Sequence, residues 1–173
     1  MERTRSAAIK DAGFLAEALA FNLERARSRT LALMDQVPDG LFGWAPSSGK
    51  LSIGGIFLHI AEVDTRWFTA LEGVSAQLPP TCGREPSEEE LRNLLVWSGN
   101  WRESFARANH GSRLLVAYDA PGGGTSSGFD AMLYLMRHES YNQAFLVSYL
   151  RAMGVEGRVI QCPCHELGTD LKR

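Results

Sequence analysis

Two histidines and an asparagine stand where a helical bundle would ordinarily place leucine. His138 and Asn142 are four residues apart in MRHESYNQAFLVSYLRAMG, and His59 sits in IFLHIAEV. At 100° per residue His138 and Asn142 lie about 40° apart on a helical wheel, so both point to one side. A buried imidazole or amide without a partner costs about 1–3 kcal/mol, so something must satisfy them. Two inward ligands at i and i+4, joined by one from a facing helix, is a common way to build a metal site in a bundle. The alternative is a hydrogen-bonded polar spot in the core. A single histidine on an apolar face is more often bonded than ligating, and an amide is a weak ligand for the borderline metals that imidazole prefers. Spacing alone leaves both readings open.

Other side chains with chemical potential carry less. Glu62, one turn from His59, could ligate or accept from an imidazole N–H, but a solvated carboxylate is the simpler expectation. Glu139 and Asp64 are expected as surface charges. Tyr141 and Tyr149 could offer a phenol to a pocket, with core packing the plainer role. In the tail, QCPCHELG gathers Cys162, Cys164 and His165, short of a full metal-ligand set. Cys82 reads as a free thiol in a loop, and His110 as a helix-terminal residue favouring the carbonyl end.

The elements that must position these residues are helices. Apolar or small residues recur at steps of four and three over 8–37 (Ala12, Ala16, Leu19, Leu23, Ala26, Thr30, Leu33, Val37), which places them on one helical face. Pro38, Asp39 and Gly40 end that run, and LFGWAPSSGK follows as a loop anchored by Trp44. Ser52 can cap a second helix to residue 72, with Ile53, Ile56, Ile60, Val63, Trp67 and Leu71 as its stripe. Ser87 and Glu90 form a capping box for a third, over 87–109. RLLVAYDA can be briefly extended, and the glycine-rich PGGGTSSG reads as loop. A fourth helix over 128–153 carries Ala131, Leu135, His138, Asn142, Phe145, Tyr149 and Ala152 on one face, and Gly154 stops it. No internal repeat occurs. The pattern predicts an all-α chain of one domain, residues 1–154, with a tail over 155–173.

Composition excludes several functions. The chain has 173 residues, 45% hydrophobic and 22% charged, and a formal charge of −2, which suits a globular domain. Its basic residues form no stripe, so nucleic acid is a poor partner. No apolar run approaches the roughly 20 residues that span a bilayer. The N-terminal stretch, which carries acids and lacks an apolar core, does not read as a signal peptide. An odd count of three cysteines argues against a disulfide framework and for a cytoplasmic location.

Two stretches carry a family resemblance. LMDQVPDGLFGWAPSSGKLSIGGIFLHIAEVDTRWF, with Trp44-Ala45-Pro46, Ser52 and His59, resembles the DinB/YfiT-like superfamily, described as metal-dependent hydrolases and thiol transferases. MRHESYNQAFLVSYLRAMG is similar to the last-helix signature of that superfamily, in which a second histidine follows the first by four residues. The resemblance spans roughly residues 10–154. It implies an up-down-down-up four-helix bundle with a divalent metal of zinc or nickel type at one end. His59 and His138 match the first two ligands, and Asn142 stands in place of the third histidine. The departure implies a weakened or absent metal. The resemblance further implies hydrolysis or thiol transfer on a small molecule, and a homodimer. A non-catalytic ligand-binding or stress-response bundle with a metal-free site is the competing expectation.

Overall fold

The computed structural model describes residues 2–75 and 86–155. The expectations for Cys82, Cys162, Cys164, His165 and the tail lie outside the described residues. Among the described residues four α-helices form the frame: α1 (Glu2–Met34), α2 (Ile53–Glu72), α3 (Glu88–Arg107) and α4 (Gly128–Ala152). The first starts six residues earlier and stops three earlier than its periodicity predicts.

Local chemistry sets the helix ends. The Ser52 hydroxyl accepts from Gly55 N at 3.0 Å, while the carbonyls of Trp44 and Phe42 accept from Ile53 N and Gly54 N at 3.0 and 2.8 Å. The loop bearing Trp44 thus satisfies the first N–H groups of α2, which have no partner within the helix. Ser87 and Glu90 form the predicted capping box on α3, and Ser127 caps α4 through Asp130 N. Gly73 ends α2 in the left-handed region at φ 69°, where a Cβ would be disfavoured.

After α3 the chain departs from expectation. Asn109, His110 and Gly111 take left-handed angles inside a 3-10 segment, Ala108–Leu115. His110 is therefore an exposed part of a kink rather than a partner for helical carbonyls. Two short antiparallel strands follow, β1 (Ala117–Asp119) and β2 (Thr125–Ser127), with Tyr118 opposite Ser126. The first is the predicted extended stretch. The second falls where loop was expected, because the turn glycines Gly123 and Gly124, at φ 93° and 77°, return the chain onto β1. At the start of α4, a Cβ on Gly128 would lie 2.5 Å from the Arg113 carbonyl oxygen, so glycine lets the helix pack on the 3-10 backbone.

Two apolar clusters fix the topology. One joins Leu19 and Leu23, Val63 and Trp67, Phe105, and Met132 and Leu135. The other joins Leu33 and Met34, Ile53 to Ile60, Leu91 and Leu95, and Leu146 and Leu150. The first therefore takes the earlier halves of α1 and α4 and the later halves of α2 and α3. Hence α1 and α4 run one way and α2 and α3 the other, the up-down-down-up bundle. Between the clusters lies a layer of buried polar side chains from all four helices: Arg27, Thr30, Asp64, Ser98, Arg102, Glu139 and Gln143.

Candidate functional site

His59 on α2 and His138 on α4 meet across the antiparallel seam of those helices, at the height of the buried polar layer rather than at an end of the bundle. Their Nε2 atoms are 3.0 Å apart, and their rings meet edge to face at 4.9 Å. Asn142 is buried, with Nδ2 3.2 Å from His138 Nε2, and the same amide nitrogen donates to the His138 carbonyl at 2.8 Å. The structure thus brings together all three residues singled out in the sequence. On the far side of His138, the Tyr134 ring stacks at 6.0 Å and 14°.

Burial lowers the His138 pKa, the neighbouring His59 lowers it further, and Asp64 and Glu139 only partly oppose this. A histidine whose folded value is depressed contributes stability above the ordinary histidine range, and that stability is lost as pH falls through it. At neutral pH His138 is held as free imidazole, the form that ligates metals or accepts a proton.

The seam differs from the expected stripe on α4. Phe145 and Ala152 are exposed and His138 is half-buried, whereas Met132, Leu135, Glu139, Gln143, Leu146 and Leu150 are buried. The core face is therefore rotated from the predicted one, and Glu139 and Asp64 are buried rather than surface charges. Each has partners that justify its position. Glu139 accepts from Arg102 Nη2 and Thr30 Oγ1, both at 2.6 Å. Asp64 accepts from Arg27 and from Ser98 Oγ, the latter at 2.8 Å. Arg27 Nε lies 3.0 Å from Glu139 Oε1 without the alignment of a hydrogen bond, so that contact is charge attraction. Gln143 donates to Ala26 O and Thr30 Oγ1. Two guanidiniums and two carboxylates balance, and a Cβ on Gly99 would come 2.8 Å from Arg27 Cγ, so glycine there gives the Arg27 stem its space. A charge at core spacing on every helix was a signal available in the sequence: Leu23-Arg27-Thr30, Ile60-Asp64-Trp67, Leu95-Ser98-Arg102 and Leu135-Glu139-Asn142.

A pocket of about 300 Å³ opens beside the pair, walled by His59, Asn142, Ile56, Phe145 and Tyr149, with Lys50 at its rim. Both tyrosines expected near the site are here: Tyr141 is exposed at the opening, and Tyr149 packs edge-on against Trp44 at 5.5 Å. Glu62 is half-buried and stands outside any ligand group. Among the described residues no three His, Cys, Asp or Glu side chains gather as a metal site. The pair itself fits an ion. Two imidazoles on one tetrahedral zinc, with bonds of about 2.0–2.1 Å, hold their nitrogens about 3.3 Å apart, close to the 3.0 Å observed. Asn142 fits less well as a ligand, because its NH2 group faces the pair; that orientation suits donation to a group at the site.

The family model described as DinB superfamily matches residues 22–146, more than half of the sequence. The chain belongs to the DinB superfamily. A crystal structure at 1.70 Å of a protein assigned to the DinB family, from Exiguobacterium sibiricum 255-15, superposes with a TM-score of 0.64. It shares 18% identity, over 83% of this chain and 96% of that one, and supports the DinB fold. No curated protein matches the sequence. Among the described residues no helix is long and apolar enough to cross a membrane.

Proposed function

We propose that this DinB-superfamily chain holds a divalent ion of zinc or nickel type at His59 and His138, and acts on a small molecule by hydrolysis or thiol transfer. The observation that carries the reading is the approach of the two Nε2 atoms to 3.0 Å, with His59 and Asn142 on the wall of a pocket of about 300 Å³. An ion there would supply open positions to polarise an electrophile or to activate water or a thiol. The chain's own groups do the rest. Burial keeps His138 unprotonated, the Asn142 amide offers an N–H to the site, and Ile56, Phe145 and Tyr149 give the pocket apolar walls.

Titration calorimetry of zinc into metal-free protein tests this. One ion per chain is expected, with affinity falling as pH drops below the ordinary histidine range, because protons then compete for the His138 imidazole, whose pKa burial lowers. His59→Ala should abolish the heat. Zinc binding that survives His59→Ala would sink the assignment. A second reading, a metal-free ligand-binding bundle, is favoured by the same contact, since a proton shared between the imidazoles satisfies both; wild type that takes up no zinc at any pH supports it.

The reading includes a homodimer. Phe14, Leu15 and Phe21 expose apolar surface along the outer side of α1, an arrangement consistent with a partner surface. Sedimentation at micromolar concentration should show a species near twice the 19.1 kDa chain mass; a single 19.1 kDa boundary counts against it.

A further inference from the structure

A second cleft lies on the α2–α4 seam, under the turn between β1 and β2. It encloses about 360 Å³ and is lined by Val63, Trp67 and Tyr134, with Arg66 and the Ala120–Gly122 turn at its rim. That size lies within the roughly 300–1,000 Å³ of small-molecule pockets. Val63 is one turn beyond His59 on α2, and Tyr134 is one turn before His138 on α4. The rings form a row: Trp67 to Tyr134 at 5.6 Å, Tyr134 to His138 at 6.0 Å, and His138 to His59 at 4.9 Å. The imidazole pair therefore stands between the two pockets, with an aromatic wall leading to it from the cleft.

The cleft also has a charge that the fold leaves uncommitted. Arg27, Arg92, Arg102, Arg107 and Arg113 each sit against a carboxylate. Among the described residues Arg29, Arg66 and Arg137 are left without an ion pair, and of these Arg66 is exposed and lines this cleft. A guanidinium presents a planar fork that matches a carboxylate, and the floor beside it is aromatic and apolar.

We propose that this cleft is the recognition subsite for a small carboxylate with a planar apolar body. Arg66 takes the carboxylate, the body lies on Trp67 and Tyr134, and the far end of the molecule is directed to His59 and His138. This deepens the proposed function by naming a substrate class, and rests on the imidazole pair being the reacting centre only for its last element. Lys50 guards the other pocket from an exposed loop and has no part in it.

The test uses the full, metal-free chain and two probes, 3-phenylpropionate and its neutral isostere 3-phenylpropanamide, followed by amide and indole NMR shifts. For a fragment of this size a Kd of about 1 mM is expected, with shifts centred on Val63, Trp67 and Tyr134. Losing a charge-assisted pair should weaken binding about tenfold, both for the amide probe and for phenylpropionate with Arg66→Gln. Lys50→Gln should leave it unchanged. Equal affinities for acid and amide, indifference to Arg66→Gln, shifts centred elsewhere, or no binding up to about 10 mM each overturn the proposal. Arg66 is exposed, so the variant is expected to fold, and its NMR spectrum reports that directly. His59→Ala should remove zinc binding and leave phenylpropionate affinity intact. Failure of the metal reading is therefore seen in the zinc arm alone, and failure of the subsite in the probe arm alone.

Discussion

Truncating Arg102 to alanine should destabilise the fold by about 3–5 kcal/mol, a large share of the roughly 5–15 kcal/mol that holds a typical domain together. Arg102 is fully buried, with Nη2 2.6 Å from Glu139 Oε2 and Nη1 3.6 Å from Asp64 Oδ1. Its removal leaves Arg27 alone against two buried carboxylates, and an uncompensated charge in a low-dielectric interior is costly. The cost arises from the imbalance rather than from the worth of the pair. Removing both partners together, Arg102→Met with Glu139→Leu, restores charge balance around Arg27 and Asp64 and fills the volume with apolar atoms. That double variant should be more stable than Arg102→Ala, with a coupling of about 1–3 kcal/mol or more relative to the two single changes. Urea unfolding of the four proteins measures it. A loss below about 1 kcal/mol for Arg102→Ala would mean that water reaches the layer and that these charges are solvated.

The same layer explains what could be read from the sequence. The apolar stripe of helix α2 was legible, because Ile53, Ile56, Ile60, Val63, Trp67 and Leu71 all are buried as its periodicity predicts, whereas the buried Asp64 on the same helix was not. Caps at Ser52 and Ser87 and the stop at Gly154 were legible because a cap is a local event. On α4 the apolar stripe was placed to one side of the true core face, since the rule that charges belong outside put Glu139 in water. Glu139 instead faces inward with Arg102, Thr30 and Arg27, and only a count across all four helices shows the compensation. The approach of His138 to His59 does not depend on where that stripe is drawn. His138 is half-buried between the core face and the α2–α4 groove, where its ring meets His59, and the buried Asn142 one turn on packs its amide against His138. The β1–β2 hairpin was half hidden, because Thr125–Ser127 has no hydrophobic alternation and is held by backbone pairing to β1.

Replacing Asn142 by histidine should raise zinc affinity by at least about tenfold, or 1.4 kcal/mol. Wild-type Asn142 directs Nδ2 at the His138 carbonyl, at 2.8 Å, and toward His138 Nε2, at 3.2 Å. An amide so turned presents a donor, not the oxygen a metal needs, and an amide oxygen is in any case a poorer ligand than imidazole for zinc or nickel. The natural site therefore offers two good nitrogens. Histidine at 142 adds a third, one turn from His138 on the same helix, and completes the three-protein-ligand arrangement that leaves a position open for substrate. The imidazole is larger than the amide it replaces, and the pocket of about 300 Å³ beside it gives it room to turn. His59→Ala in the Asn142→His background should remove the gain, because all three nitrogens must meet at one ion. Calorimetric titration of wild type, Asn142→His and the double variant measures this, with circular dichroism to establish that each is folded. If folded Asn142→His binds zinc no better than wild type, position 142 does not reach an ion held by His59 and His138, and the convergence of the three side chains on one metal falls.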